Sequence, residues 1–134
     1  MTASVFLDSG IFIAFMSRRD RWHSAARVLF GEPRPRWATS LLVVSETYSW
    51  FLHRAGEEPA RNFLQLVRSL AGLRMFEITR NLHQDVCRML ERYRGCKLTY
   101  VDASSLVLLE ENKIRRAWST DHHLALTGAE VLPR

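Results

Sequence analysis

A chain of 134 residues with 47% hydrophobic content can bury one continuous core and leaves no room for a second, so a single domain over residues 1–134 is expected. Nineteen Lys and Arg against fourteen Asp and Glu give a formal charge of +5, which favours a polyanionic partner such as nucleic acid over an acidic one. The only cysteines, Cys87 and Cys96, match neither a C-x-x-C redox pair nor a zinc knuckle, and their scarcity suits a reducing, cytoplasmic setting.

The run VFLDSGIFIAFM near the start is apolar, but it has no basic leader, carries Asp8 in its middle and is far too short to span a bilayer. It reads as buried core of a soluble protein with no membrane partner. Within it, Ser4 to Leu7 has the compact apolar character of a buried parallel strand, and Asp8-Ser9-Gly10 ends it before a helical turn or two over Ile11 to Met16. Asp8 therefore sits at the carboxyl end of a strand, the edge at which open α/β sheets bind ligands. It could equally serve as the cap of the helix that follows.

Ser17 to Arg21 is a charged loop, and Trp22 to Phe30 forms a helix with Trp22, Ala25, Ala26, Leu29 and Phe30 along one stripe, stopped by Gly31-Glu32-Pro33. Arg18, Arg19, Arg21, Arg34 and Arg36 make a basic neighbourhood, which could hold phosphates or be an ordinary solvated surface. Trp37 to Thr39 is a second strand. Ser40 caps a long helix to about Ala55, on which Glu46 shares the face of Leu42, Val43, Ser49 and Trp50. A carboxylate on an apolar stripe needs a partner, because unpaired burial costs several kcal/mol or more. Glu46 then either has a functional partner, reaches the rim, or pairs with a cation such as Arg54.

Gly56 to Pro59 breaks this helix and opens another, with Phe63, Leu66, Val67 and Leu70 on its stripe and Gly72 at its end. Arg74 to Ile78 is a short strand, Thr79 caps, and Leu82, Val86, Met89, Leu90 and Tyr93 form the next stripe, closed by Gly95. The stretch Leu98 to Leu124 then reads as a helix opening at Asp102, a turn over Asn112 to Arg115, a brief strand from Ala117 to Thr120, and Asp121. Val131 and Leu132 make a last strand. Strands alternate with helices throughout, which predicts a parallel sheet of about four to five strands covered on both faces.

In such a sheet a helix runs back against the strand it leads into, so the start of the Asp102 helix and the end of the next strand share one edge. Asp8, Glu46, Asp102 and Asp121 all fall at that edge. Carboxylates forced together repel unless a cation lies between them. A cluster of carboxylates with no thiol or imidazole partner set offers only hard oxygen donors, which suits Mg²⁺ or Mn²⁺ rather than Zn²⁺. His122 and His123 are near in sequence, but adjacent helical side chains point about 100° apart and do not readily share one ion, so no role is assigned to them. Carboxylate-held Mg²⁺ commonly acts on phosphates, which makes nucleic-acid backbone hydrolysis the natural reaction. The hydroxyls of Ser9, Thr39, Thr99 and Thr120 could orient a carboxylate or a water, with Thr39 and Thr99 read as caps. An aspartate-nucleophile phosphatase is excluded, since it needs a second Asp two residues after the first and Gly10 stands there.

The ordered motifs VFLDSG, ATSLLVVSET, LTYVDA and STDHHL resemble those of the PIN domain, and the compact size resembles the VapC-type ribonuclease toxins. The resemblance covers nearly the whole chain. It implies a three-layer α/β/α sandwich and an endoribonuclease whose catalytic, Mg²⁺- or Mn²⁺-binding residues are Asp8, Glu46, Asp102 and Asp121. It also implies a homodimer held inactive by a small antitoxin protein, with RNA as substrate. A housekeeping RNA-processing nuclease and a catalytically silent PIN-like binding module are the rival expectations, and the intact acid set argues against the second. The Arg18 to Arg21 loop and Arg115-Arg116 are the candidate RNA contacts.

Overall fold

The computed structural model describes residues 4–32 and 35–134; Pro33 and Arg34, invoked above as a helix stop and part of a basic neighbourhood, lie outside the described residues. The chain runs β1 (Ser4–Leu7), α1 (Ser9–Met16), α2 (His23–Gly31), β2 (Arg36–Ser40), α3 (Leu41–Ala55), α4 (Glu57–Ser69), β3 (Arg74–Phe76), α5 (Arg80–Arg92), α6 (Tyr100–Glu111), β4 (Arg116–Trp118), a 3₁₀ turn at His122–Ala125, and β5 (Glu130–Leu132). The strands form one parallel five-stranded sheet in the order β3-β2-β1-β4-β5. Right-handed crossovers in that order place α1 to α4 on one face and α5 and α6 on the other, giving the expected three layers.

The order decides where a site can form. From β1 the chain steps outward to β2 and β3, then returns to the other side of β1 as β4. Connections therefore leave the carboxyl ends of β1 and β4 in opposite directions and open a crevice between them. Asp8 follows β1 and Asp121 lies beyond β4, so the crevice has an acid on each side.

Packing fixes this edge. Val5, Phe6 and Leu7 of the central strand are wholly buried, as α/β sandwiches require of a strand covered on both faces. On one face Phe12 meets Phe63 edge-on at 5.3 Å, and Phe30 meets Trp118 edge-on at 5.3 Å. On the other, α6 is buried from Asp102 through Leu109, which explains why it has no polar stripe and why its sequence does not look amphipathic. Among the described residues, no helix is long and apolar enough to cross a membrane.

Several boundaries differ from the sequence reading. The last helix before β4 opens at Tyr100 with Thr99 as its cap, so Asp102 is in its first turn and not at its start. The capping box explains the shift: Asp102 N–H donates to Thr99 Oγ1 at 3.0 Å while Thr99 N–H donates to an Asp102 carboxylate oxygen at 3.1 Å. Strand β4 ends at Trp118, because beyond the Leu7–Trp118 pair β1 turns away into α1, and Ser119 and Thr120 belong to the following loop. Ser40 and Thr79 cap α3 and α5 as expected. Thr39 is no cap; it lies inside β2, and its buried hydroxyl donates to the Leu7 carbonyl of β1 at 2.8 Å.

Candidate active site

Asp8 takes the N-cap position of α1 without making a side-chain cap bond. It is 3% exposed, and its Oδ2 accepts from Ser119 Oγ at 2.7 Å across the β1–β4 crevice. Ser119 is itself held by the loop, since its Oγ accepts the Asp121 backbone N–H at 3.0 Å and its own N–H donates to the Leu132 carbonyl at 2.8 Å. One serine thus ties the acid after β1 to the backbone of the acid after β4. Burial pushes the Asp8 carboxyl up from 3.8 to about 6; the Ser119 hydroxyl and Ser9 backbone N–H oppose the rise, and the neighbouring Asp102 and Glu46 add to it. This mutual repulsion records Asp8, Asp102 and Glu46 in one electrostatic neighbourhood.

Glu46 lies in the second turn of α3, half-buried, and its Oε1 accepts from Ser9 Oγ at 2.6 Å. That contact joins α3 to the start of α1, and it answers the question of what partners a carboxylate on this stripe. Arg54 does not; its guanidinium lies over the Trp50 ring, 5.3 Å from the centroid. An open groove of about 400 Å³ leads from Glu46 and Ser9 past Ile13 and Trp50 to His53 and Arg54.

Asp102, 8% exposed, and Asp121, half-exposed, meet as the strand and helix geometry requires. Together with His123 they offer three donor atoms that all lie within 4.8 Å of one another, a group that could hold a metal ion. His123 has no place in the four-acid reading. The 3₁₀ turn carries it back over Asp121, with its backbone N–H donating to Asp121 Oδ1 at 2.9 Å. Its Nδ1 stands 3.2 Å from Asp121 Oδ1 and 3.4 Å from Asp102 Oδ2. His122 is exposed, so two adjacent imidazoles indeed do not share this site, but one reaches it.

Gly10 completes the frame. A Cβ there would stand 2.1 Å from Thr120 Oγ1, so only glycine lets the start of α1 close onto the loop that carries Asp121. Ser119 and His123 are the two site residues that sequence reasoning missed. For His123 the available signal was its position two residues after Asp121, within reach of one tight turn; for Ser119 there was none short of the β1–β4 pairing.

The basic candidates fare differently. Arg115 and Arg116 precede or open β4, at the sheet edge opposite the acids, and Arg116 lies 3.9 Å from the Glu130 carboxylate. The Arg18 to Arg21 loop follows α1, whose eight residues carry the chain about 12 Å back from the same edge.

A parallel sheet in this order, with acids gathered at its switch point, defines a class of α/β proteins that act on ligands at the carboxyl edge. The PIN domain model matches residues 5–130, and the chain belongs to the PIN domain family. It is 25% identical over 130 residues to the 23S rRNA-specific endonuclease VapC20 of Mycobacterium tuberculosis, covering 96% of this chain and 98% of that protein. The crystal structure of Mycobacterium tuberculosis VapC20, described as a sarcin-ricin loop cleaving toxin, superimposes with a TM-score of 0.85 at 23% identity, over 93% of this chain and 95% of that one. A toxin-antitoxin complex from Klebsiella pneumoniae matches with a TM-score of 0.64 at 18% identity, over 96% of each chain.

Proposed function

We propose that this chain is one nuclease domain, a divalent-metal-dependent endoribonuclease that hydrolyses RNA phosphodiester bonds and serves as the toxin of a toxin-antitoxin pair. The observation that carries the reading is the gathering of Asp8, Glu46, Asp102 and Asp121 around the β1–β4 crevice of a PIN domain. The donor chemistry fits a hard divalent cation, Mg²⁺ or Mn²⁺, with Asp8, Glu46, Asp102 and Asp121 as the residues that hold it. When bound, such a cation polarises a phosphodiester oxygen and lowers the pKa of its water.

The protein's own groups prepare that site. Ser119 fixes Asp8, Ser9 fixes Glu46 and the Thr99 capping box fixes Asp102, so these carboxylates are oriented before substrate arrives. The substrate we assign is RNA, and the similarity to a 23S rRNA-specific endonuclease directs the search toward exposed loops of ribosomal RNA. Arg54, at the far end of the groove that begins at Glu46, is the cation offered to a phosphate. A small antitoxin protein is the assigned partner, supported by the match to a toxin-antitoxin complex; we take the toxin to act as a homodimer in the cytoplasm.

The test is a digest of total cellular RNA with Mg²⁺, with Mn²⁺ and with excess chelator, mapping cut sites and using Asp102→Asn as control. Asn keeps an oxygen for the Thr99 N–H, so the helix cap survives while a charged donor is lost. Discrete cuts that need metal and vanish in Asp102→Asn are expected. Cleavage that persists in chelator, or in Asp102→Asn, overturns the mechanism.

A further inference from the structure

We propose that His123 is a direct ligand of the metal, through Nδ1, so that the site is a mixed carboxylate–imidazole centre selecting Mn²⁺ over Mg²⁺. The inference rests on the reading of the acids as a metal site and adds a donor of different chemistry to it.

The imidazole atom is in an unusual state. Nδ1 of His123 is closed off from solvent and makes no hydrogen bond, although two carboxylate oxygens stand 3.2 and 3.4 Å away. A ring nitrogen used only to neutralise Asp102 and Asp121 would turn its N–H onto one of them, since a buried polar atom left unmade costs about 1–3 kcal/mol. Neither oxygen lies in hydrogen-bonding geometry. A cation between all three groups resolves this. All three donor atoms lie within 4.8 Å of one another, and the imidazole nitrogen is the one that stands close to both carboxylates, so one cation would be within reach of the three.

The backbone sets the ring for this task. The Asp121 carboxylate caps the 3₁₀ turn by accepting the His123 N–H at 2.9 Å, and Leu124 next to it is wholly buried, so the turn is anchored at both ends. Asp121 thereby positions His123 and faces the same point itself. His122, exposed on the outside of the turn, has no such constraint.

The chemistry then differs from that of an all-oxygen site. Mg²⁺ favours oxygen donors, whereas an imidazole nitrogen raises the affinity of first-row transition ions. Manganese accepts both donor types and supports the same phosphate chemistry.

Titration of the wild-type protein with Mn²⁺, followed by electron paramagnetic resonance, measures binding, and pulsed experiments on the bound ion report a coordinated nitrogen. A ¹⁴N coupling is expected in the wild type and in His122→Gln. It should convert to ¹⁵N on histidine labelling of the wild-type protein and disappear in His123→Gln and in His123→Asp. His123→Gln should weaken Mn²⁺ binding by about 10- to 100-fold and Mg²⁺ binding far less. His123→Asp restores a donor, so its Mn²⁺ affinity should recover without the nitrogen signal. Bound Mn²⁺ with no nitrogen coupling in the wild type, or a coupling that survives in His123→Gln, overturns the assignment of His123 and leaves the carboxylate site standing. A wild-type protein that binds neither Mn²⁺ nor, by calorimetric titration, Mg²⁺ overturns both, and one that binds Mg²⁺ alone overturns only the assignment of His123. Isotope labelling of the wild type decides the presence of an imidazole ligand even if a variant does not fold.

Discussion

Asp8→Asn separates stability from function, because the group it alters is held in the folded protein against its own preference. Burial raises the Asp8 carboxyl from 3.8 to about 6. At about 1.4 kcal/mol per unit, ionised Asp8 opposes folding of the metal-free protein by about 3 kcal/mol at pH 8. The sign follows from linkage: a raised folded-state pKa means that the protonated group's contribution is fully present below pH 3.8 and is lost as pH rises through 6. Asn is neutral at every pH and keeps an oxygen for Ser119 Oγ, and the strength of the charge-assisted bond it gives up is already contained in the net rise of the Asp8 carboxyl. The net expectation is that Asp8→Asn stabilises the metal-free protein by about 3 kcal/mol at pH 8, with the advantage fading between pH 6 and pH 4. Urea unfolding in chelator across that range measures it. With metal at a thousand times its Kd the wild type gains about 4.1 kcal/mol and the variant does not, so the order of stabilities reverses as RNA cleavage is lost. Equal midpoints at pH 8 in chelator, or a difference that does not shrink toward pH 4, refute the burial and repulsion at this edge.

Gly10→Ala forces a Cβ against Thr120 Oγ1 and should destabilise by about 1–3 kcal/mol; adding Thr120→Ala should recover a good part of it, and a double-mutant cycle by urea denaturation that finds the two changes additive contradicts the close approach. Ser119→Ala removes the hydroxyl that lowers the Asp8 carboxyl, so apparent metal affinity at pH 7 should fall by about 10- to 100-fold while the fold is kept, as read by calorimetric titration and circular dichroism. For RNA binding by a cleavage-dead protein, Arg54→Gln should reduce the slope of log affinity against log salt by about 0.7, the value for one single-strand phosphate contact. The Arg18 and Arg19 pair, set back from the acids, should leave that slope unchanged, and the opposite pattern moves the RNA path to the other end of the sheet.

Much of the site could be read before folding was considered in three dimensions. Alternating strand and helix patterns, and Ser40, Thr79 and Thr99 as caps, follow from local propensity and hydrogen bonding, which act over a few residues. They also place Asp8, Glu46, Asp102 and Asp121 at strand ends and helix starts, and a parallel sheet necessarily collects such positions on one edge. The Asp102 helix was harder to delimit because α6 is buried on all sides and offers no amphipathic period to count. The basic loops could not be placed for a related reason, since closeness in sequence says nothing about which sheet edge a loop occupies.

The amino-acid sequence alone determined the layered α/β architecture and offered the four acids as candidates, because both readings depend on hydrophobic period and on short-range capping chemistry. Only the tertiary structure decided that β4 lies beside β1, and with it every contact that crosses the crevice. Ser119 reaches Asp8 over a separation of 111 residues, and Gly10 gives way to Thr120. His123 joins the acids only because a 3₁₀ turn folds it back over Asp121. These contacts depend on strand order and on one tight turn, which no local preference specifies.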